Sequence, residues 1–177
     1  AGMGGSGYGS GSVYIFHTSD GGATYGQVVK LTAADGAGND YFGYSVAIDG
    51  DTVVIGAYNA GTGGAVYVYR ASDGAELAKL TADDAAADDE FGCSVAIEGD
   101  TVVIGAINAG TGGAVYVFRT TNGGASYSKI AKLTAADAGS YHSFGFSVAI
   151  YGDTVLIGSN CATADYYNKL TNPTSAQ

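Results

Sequence analysis

Few side chains in this sequence are able to make or break bonds, and they recur in ways that suit architecture better than catalysis. Ser45 sits in Gly43-Tyr44-Ser45-Val46-Ala47, a run that superficially resembles the strained turn presenting a serine nucleophile. The same serine returns as Ser94 and Ser147, no helical pattern follows, and only two histidines exist, His17 and His142. Nucleophilic catalysis needs one serine singled out beside one base. No catalytic residue is therefore assigned, and the chain is expected not to be an enzyme. Gly2-Met3-Gly4-Gly5-Ser6-Gly7 matches a dinucleotide-loop spacing, but without a strand before it and a helix after it the segment reads as a connector.

Cation binding has one weak candidate. The loop from Asp83 to Glu90 is acidic, and Asp84, Asp88 and Asp89 are the carboxylates that could hold calcium; the alternative is a solvated loop. Its counterparts, 35–40 and 137–143, are less acidic. Zinc-ligand spacing is absent, and no other cofactor is expected. Cys93 and Cys161 either form one disulfide or stand unpaired at repeat positions otherwise held by Tyr44 and Asn59. Tyr58, Asn59, Asn108, Tyr67 and Tyr116 form a candidate surface for a partner or a sugar. The competing reading of the strand tyrosines is packing between sheets, with each hydroxyl reaching a polar group at the edge.

The elements that would position these residues come from an internal repeat. FGYSVAIDGDTVVIGAYNAGTGGAVYVY starts at Phe42, FGCSVAIEGDTVVIGAINAGTGGAVYVF at Phe91, and FGFSVAIYGDTVLIGSN at Phe144. The period is about 50 residues, and KLTA recurs in step at Lys30, Lys79 and Lys132. In the unit beginning at Phe42 the pattern predicts four strands, over 44–48, 52–57, 65–70 and 76–82. Asp49-Gly50-Asp51 supplies a tight turn and NAGTGG a longer loop. AVYVYR alternates as a strand does, whereas SVAI and TVVIGA are apolar on both faces, as expected of a sheet sandwiched between neighbours. Four antiparallel strands in a unit of this length match a propeller blade.

The signature pairs Phe42-Gly43, Phe91-Gly92 and Phe144-Gly145, with Gly56-Ala57, Gly105-Ala106 and the altered Gly158-Ser159, resemble the FG-GAP repeats of integrin α-like propellers. That resemblance implies an all-β propeller, extracellular or on the cell surface. Many such repeats carry a D-x-D-x-D-G calcium loop between their first two strands. Here the segment is only Asp49-Gly50-Asp51, Glu98-Gly99-Asp100 or Tyr151-Gly152-Asp153, too short for the six or more oxygens calcium takes. The chain resembles a short-loop subfamily without that site.

The whole of 1–177 reads as one repeat domain: a half blade over 11–41 holding third and fourth strands, blades over 42–90 and 91–143, and a partial, degenerate blade over 144–177. About three blades are fewer than the usual four to eight or so. Three arrangements fit: a piece of a longer protein, two copies sharing a ring, or head-to-tail addition of copies through open edges. Seventeen acidic residues against 7 basic ones give a net charge of −10, which repels phosphate backbones and anionic lipid and excludes nucleic acid as a partner. No apolar run approaches the ~20 residues of a membrane-crossing helix, so no membrane insertion is expected. Expected partners are the chain itself, as a dimer or head-to-tail assembly, or other protein domains. The expected function is a structural or adhesive module; the alternative is a carbohydrate-binding propeller with sites repeated between blades, so that glycans are the other candidate partner.

Overall fold

In the computed structural model, which describes residues 9–140 and 142–160, the Val-, Ile- and Tyr-rich runs are strands and the glycine-rich segments are turns. Branched and aromatic side chains favour the pleated, half-buried surface. The strands are β1 (Val13–His17), β2 (Gly26–Leu31), β3 (Ser45–Asp49), β4 (Thr52–Ala57), β5 (Ala65–Arg70) and β6 (Glu76–Leu80), then β7 (Phe91–Glu98), β8 (Thr101–Ala106), β9 (Ala114–Arg119), β10 (Ser128–Leu133), β11 (Phe144–Tyr151) and β12 (Thr154–Ser159). No helix occurs among the described residues.

The strands form four antiparallel sheets: β1-β2, β3-β4-β5-β6, β7-β8-β9-β10 and β11-β12. Two are complete four-stranded meanders with the form of propeller blades. They are flanked by a two-stranded sheet equivalent to the outer half of a blade and another equivalent to the inner half. The fold is the all-β incomplete propeller that the repeat implies, with no closed ring among the described residues.

Within the first full blade, β4 and β5 lie where the pattern puts them. β3 starts one residue later than expected, and β6 ends at Leu80 because the Ala82 carbonyl already accepts a turn bond from the Ala85 amide. The hairpins β3–β4, β7–β8 and β11–β12 turn on Gly50, Gly99 and Gly152 at φ of 55°, 53° and 55°. Only glycine enters that left-handed region without steric cost.

Both faces of the two middle strands of each full blade, β4 and β5 and then β8 and β9, are buried, which explains the doubly apolar TVVIGA run. Val54, Val66 and Val68 cluster with Phe91, Val102 and Ile104 of the next blade. Val53, Ile55 and Tyr67 cluster with Leu31 and Phe42 toward the preceding half blade. Val103 and Val115 pack against Val148, Ile150, Val155 and Ile157 of the last half blade. Burying each Val or Ile fully stabilises by about 1.5–3 kcal/mol, so the blades are held chiefly by face-to-face stacking.

Candidate functional site

The recurring polar residues fasten one blade to the next. The Ser45 hydroxyl donates to the Gly92 carbonyl at 2.7 Å, and the Ser94 hydroxyl to the Gly145 carbonyl at 2.6 Å. Each bond runs from the first strand of one blade to the Phe-Gly pair of the following one. Gly56 and Gly105 belong to the same joint: a Cβ on either would collide with that same carbonyl oxygen. The glycine of the GA signature is therefore a socket for the next blade's backbone. His142 is buried, and its Nδ1 accepts from the Gly139 amide at 3.1 Å, a loop-capping task that Asp40 and Asp89 perform in the earlier repeats.

A second latch joins a strand tyrosine, a strand lysine and a loop aspartate. The Tyr67 hydroxyl donates to Asp35 at 2.9 Å while the Lys79 ammonium donates to the other carboxylate oxygen at 2.5 Å. Tyr116 and Lys132 hold Asp84 with the same two distances. Each lysine lies 5.0 Å from the centroid of its tyrosine ring, within cation–π reach. Lys132 beside Asp84, with Tyr116 adding, keeps that carboxyl below the usual carboxylate range against the effect of burial. Burial in turn pushes the Tyr67 and Tyr116 hydroxyls up. Phe42 and Phe91 complete the arrangement, meeting Tyr67 and Tyr116 edge-on at 5.4 Å.

These latches correct several expectations. Tyr67 and Tyr116 are 1% and 0% exposed; they are core residues with tethered hydroxyls and offer no binding surface. Asn59 and Asn108 lie at the surface but donate inward, to the carbonyls of Asn39 and Asp88 at 2.9 and 3.0 Å. They pin loops whose residues Asn39 and Asp88 have positive φ. The three acidic candidates for calcium do not converge. Asp84 is taken by lysine and tyrosine, Asp89 is buried and accepts from the Ala86 amide at 2.8 Å, and Asp88 is exposed. Among the described residues no cluster of three or more His, Cys, Asp or Glu could hold a metal. The Tyr–Lys–Asp latch itself went unread in the sequence. Its signal was available, since Asp35, Asp84 and Asp137 each follow KLT at the same spacing.

Cys93 is half-buried, with its Sγ 3.8 Å from the Gly145 carbonyl oxygen, and burial pushes its thiol up to about 11. The pairing with Cys161 concerns a residue outside the described ones, as does the degenerate tail beyond residue 160. Tyr58 does lie in an aromatic group at the surface: it stacks on Tyr41 at 5.0 Å and meets Tyr44 edge-on at 4.5 Å. The counterparts of these three are Glu90, Cys93 and Ile107 in the next repeat, so the group is confined to one blade.

Among the described residues, apolar side chains are exposed in a groove at each end of the stack. On one side a groove lined by Ile15, Phe16, Val46 and Ile48 runs between β1 and β3, with Ile48 61% exposed. On the other, Ser147, Ala149, Leu156 and Gly158 line a groove on the outer face of β11 and β12, with Leu156 71% exposed. The counterparts of Leu156 in the two full blades, Val54 and Val103, are fully buried. Contiguous apolar surface of this kind marks an interaction site, and an unpaired strand edge is a template for another strand.

The sequence profile of the FG-GAP repeat family matches three consecutive segments, residues 25–69, 71–118 and 127–172. Among curated proteins none matches the chain. Among solved structures, the computationally designed Ika4 protein is similar with a TM-score of 0.34 and 13% identity, over 73% of this chain and 91% of that one. Three matched segments spanning most of the sequence, together with blades fastened at Phe91-Gly92 and Phe144-Gly145, establish that the chain is a β-propeller-like interaction module belonging to the FG-GAP repeat family.

Proposed function

We propose that this chain is a non-enzymatic structural or adhesive module, extracellular or at the cell surface, that works by protein–protein contact through its two open blade ends and assembles with copies of itself. The observation carrying this reading is the pair of half blades. One end presents an inner half with an exposed outer face, the other an outer half with an exposed groove. Among the described residues, each end has the strands the other lacks. A net charge of −10 keeps such a surface soluble while disfavouring nucleic acid. The test is the native mass in solution by light scattering on a size-exclusion column. A defined multiple of 17.6 kDa, or a ladder of multiples, is expected. A single-chain mass at high micromolar concentration would overturn self-assembly.

A second reading, carbohydrate binding, draws on the group of Tyr41, Tyr58 and Tyr44. Exposed aromatic rings can stack on the apolar faces of sugar rings, and their amphipathic edges suit a half-wet site. The buried Tyr67 and Tyr116 and the inward-turned Asn59 and Asn108 argue against a site repeated at every blade. This reading therefore narrows to one site per chain. Tyrosine fluorescence, free of tryptophan background in this sequence, should change on titration with an oligosaccharide panel and lose the response in Tyr58→Ala. A silent panel would remove this reading.

A further inference from the structure

Resting on the reading that the open ends are the functional surface, the geometry points to a specific composite blade: β11 and β12 of one copy, completed by β1 and β2 of a second copy, with β12 paired to β1 in the register that β4 keeps with β5. Within a full blade, Thr52 pairs with Arg70, Ile55 with Tyr67 and Gly56 with Val66. β8 and β9 repeat that register, from Thr101 with Arg119 to Gly105 with Val115. Carried along the repeat, it sets Thr154 opposite His17, Leu156 opposite Ile15, and Gly158 opposite Val13 of the second copy.

Two of the three fastenings of the internal joints have their parts on this chain, but separated. The latch made by Tyr67, Lys79 and Asp35, and again by Tyr116, Lys132 and Asp84, has a third set in Tyr14, Lys30 and Asp137. Lys30 already lies over the Tyr14 ring, 5.4 Å from its centroid. Asp137, however, precedes the other half blade. The composite blade brings Asp137 of one copy to Tyr14 and Lys30 of the next, and sets Phe144 against Tyr14 as Phe42 stands against Tyr67.

The joint to the following blade is equally divided. Ser147 and Gly158 are the counterparts of Ser45 with Gly56 and of Ser94 with Gly105. In those pairs the hydroxyl and the bare glycine receive the carbonyl of the next Phe-Gly pair. Among the described residues, the atoms nearest Gly158 belong to Ser147 alone. The missing carbonyl is that of Gly43, around which a Cβ would meet only Val13 and Ser12; the equivalent positions at Gly92 and Gly145 also meet the Cα of Gly56 or Gly105. Seating Gly43 of the second copy on Gly158 supplies both deficits at once. The same move lays Leu156 and Ala149 over Val46 and Ile48. In the internal joint, Val54 already covers their counterparts Val95 and Ile97.

One fastening does not transfer. Asp49 and Glu98 each accept the amide of the next turn glycine, Gly99 and Gly152, at 2.6 Å. Tyr151 stands at their place in the last repeat and has no carboxylate to offer Gly50. The joint between copies is accordingly expected to be weaker than the internal ones and reversible.

The register is tested with His17→Cys and Thr154→Cys, made on separate chains that also carry Cys93→Ser and Cys161→Ser. Both sites are exposed, so neither change strains the fold. Directly opposed residues on paired strands lie within disulfide reach. Mixing the two chains under oxidised glutathione should give a covalent dimer, with none from either variant alone. Assembly by mass without cross-linking of the mixture would overturn the register while leaving self-assembly standing; a single-chain mass would remove both. Gly158→Ala gives an independent reading. Among the described residues of its own chain the added methyl meets Ser147 alone, with the rotatable hydroxyl nearest, so thermal stability of the dissociated chain should hold while self-association weakens about tenfold or more. Unchanged association of Gly158→Ala would overturn the seating of Gly43.

Discussion

The Ser94 hydroxyl donates to the Gly145 carbonyl at 2.6 Å across a blade joint, and the bond lies inside the stack. It shows why a serine precedes the apolar run in each of these repeats. The Phe-Gly pair bulges at the start of the strand, since Phe144 pairs with Ser159 and the regular ladder resumes only at Ser147. That step turns the Gly145 carbonyl away from its own sheet, and a short hydroxyl on the preceding blade satisfies it.

Ser94→Ala should therefore cost about 1–3 kcal/mol, because a carbonyl desolvated within the joint loses its partner. Urea unfolding followed by circular dichroism would report this as a lower midpoint with an unchanged slope. Ser147→Ala, where the counterpart hydroxyl is exposed, should leave the dissociated chain within about 0.5 kcal/mol of the parent. Equal losses in the two variants would contradict the assignment of Ser94 to the joint.

Gly105→Ala should be still more damaging. A methyl there meets the Gly145 carbonyl oxygen, which is backbone and cannot rotate aside. Overpacking of this kind costs about 1–3 kcal/mol, and separating the blades would also break the Ser94 bond. Gly99→Ala serves as the contrast. Its Cβ meets nothing, and its cost comes from φ of 53° alone, about 1–2 kcal/mol. Thermal unfolding of the two variants should rank Gly105→Ala below Gly99→Ala, and the reverse order would argue against the socket.

The repeat, the blade-like sheets and most strand limits were legible in the sequence because a strand writes itself in every second side chain and a turn in its glycine. What Tyr67, Asn59 and Asp84 do was not. A tyrosine in an alternating strand has the same spacing whether its face meets solvent or another sheet, and only the stacking order decides that. The correct pattern for Asp84 was present as a lysine and an aspartate at a fixed offset, yet the lysine that meets Asp84 is Lys132, about 50 residues away on β10 of the next blade. Spacing within one repeat cannot show a bond made between repeats. Reading Asp83 to Glu90 as a single acidic loop hid the fact that its members face different partners.

The latches also set how stability depends on pH. Asp84 is held below the usual carboxylate range by Lys132 and Tyr116, and Asp35 by Lys79 and Tyr67, in both cases against burial. A carboxyl lowered in the folded state contributes stability that is complete above its unfolded value of 3.8 and is lost as pH falls through its folded value. On the alkaline side the signs reverse. Burial raises Tyr116, and Lys132, though burial pulls it down, is pushed up to about 12 by Asp84 and Tyr116; their contribution is complete below about 10 and fades as pH rises toward 12. Asp84→Asn should thus lower the urea midpoint at pH 7, by a margin that shrinks as pH falls below 3.8 and the parent loses the same charge. Because the Asp84 side chain is 46% exposed, the difference at pH 7 should stay below about 1 kcal/mol for the ion pair itself. A gap between variant and parent that does not narrow as pH falls below 3.8 would show that Asp84 acts through its shape and not through its charge.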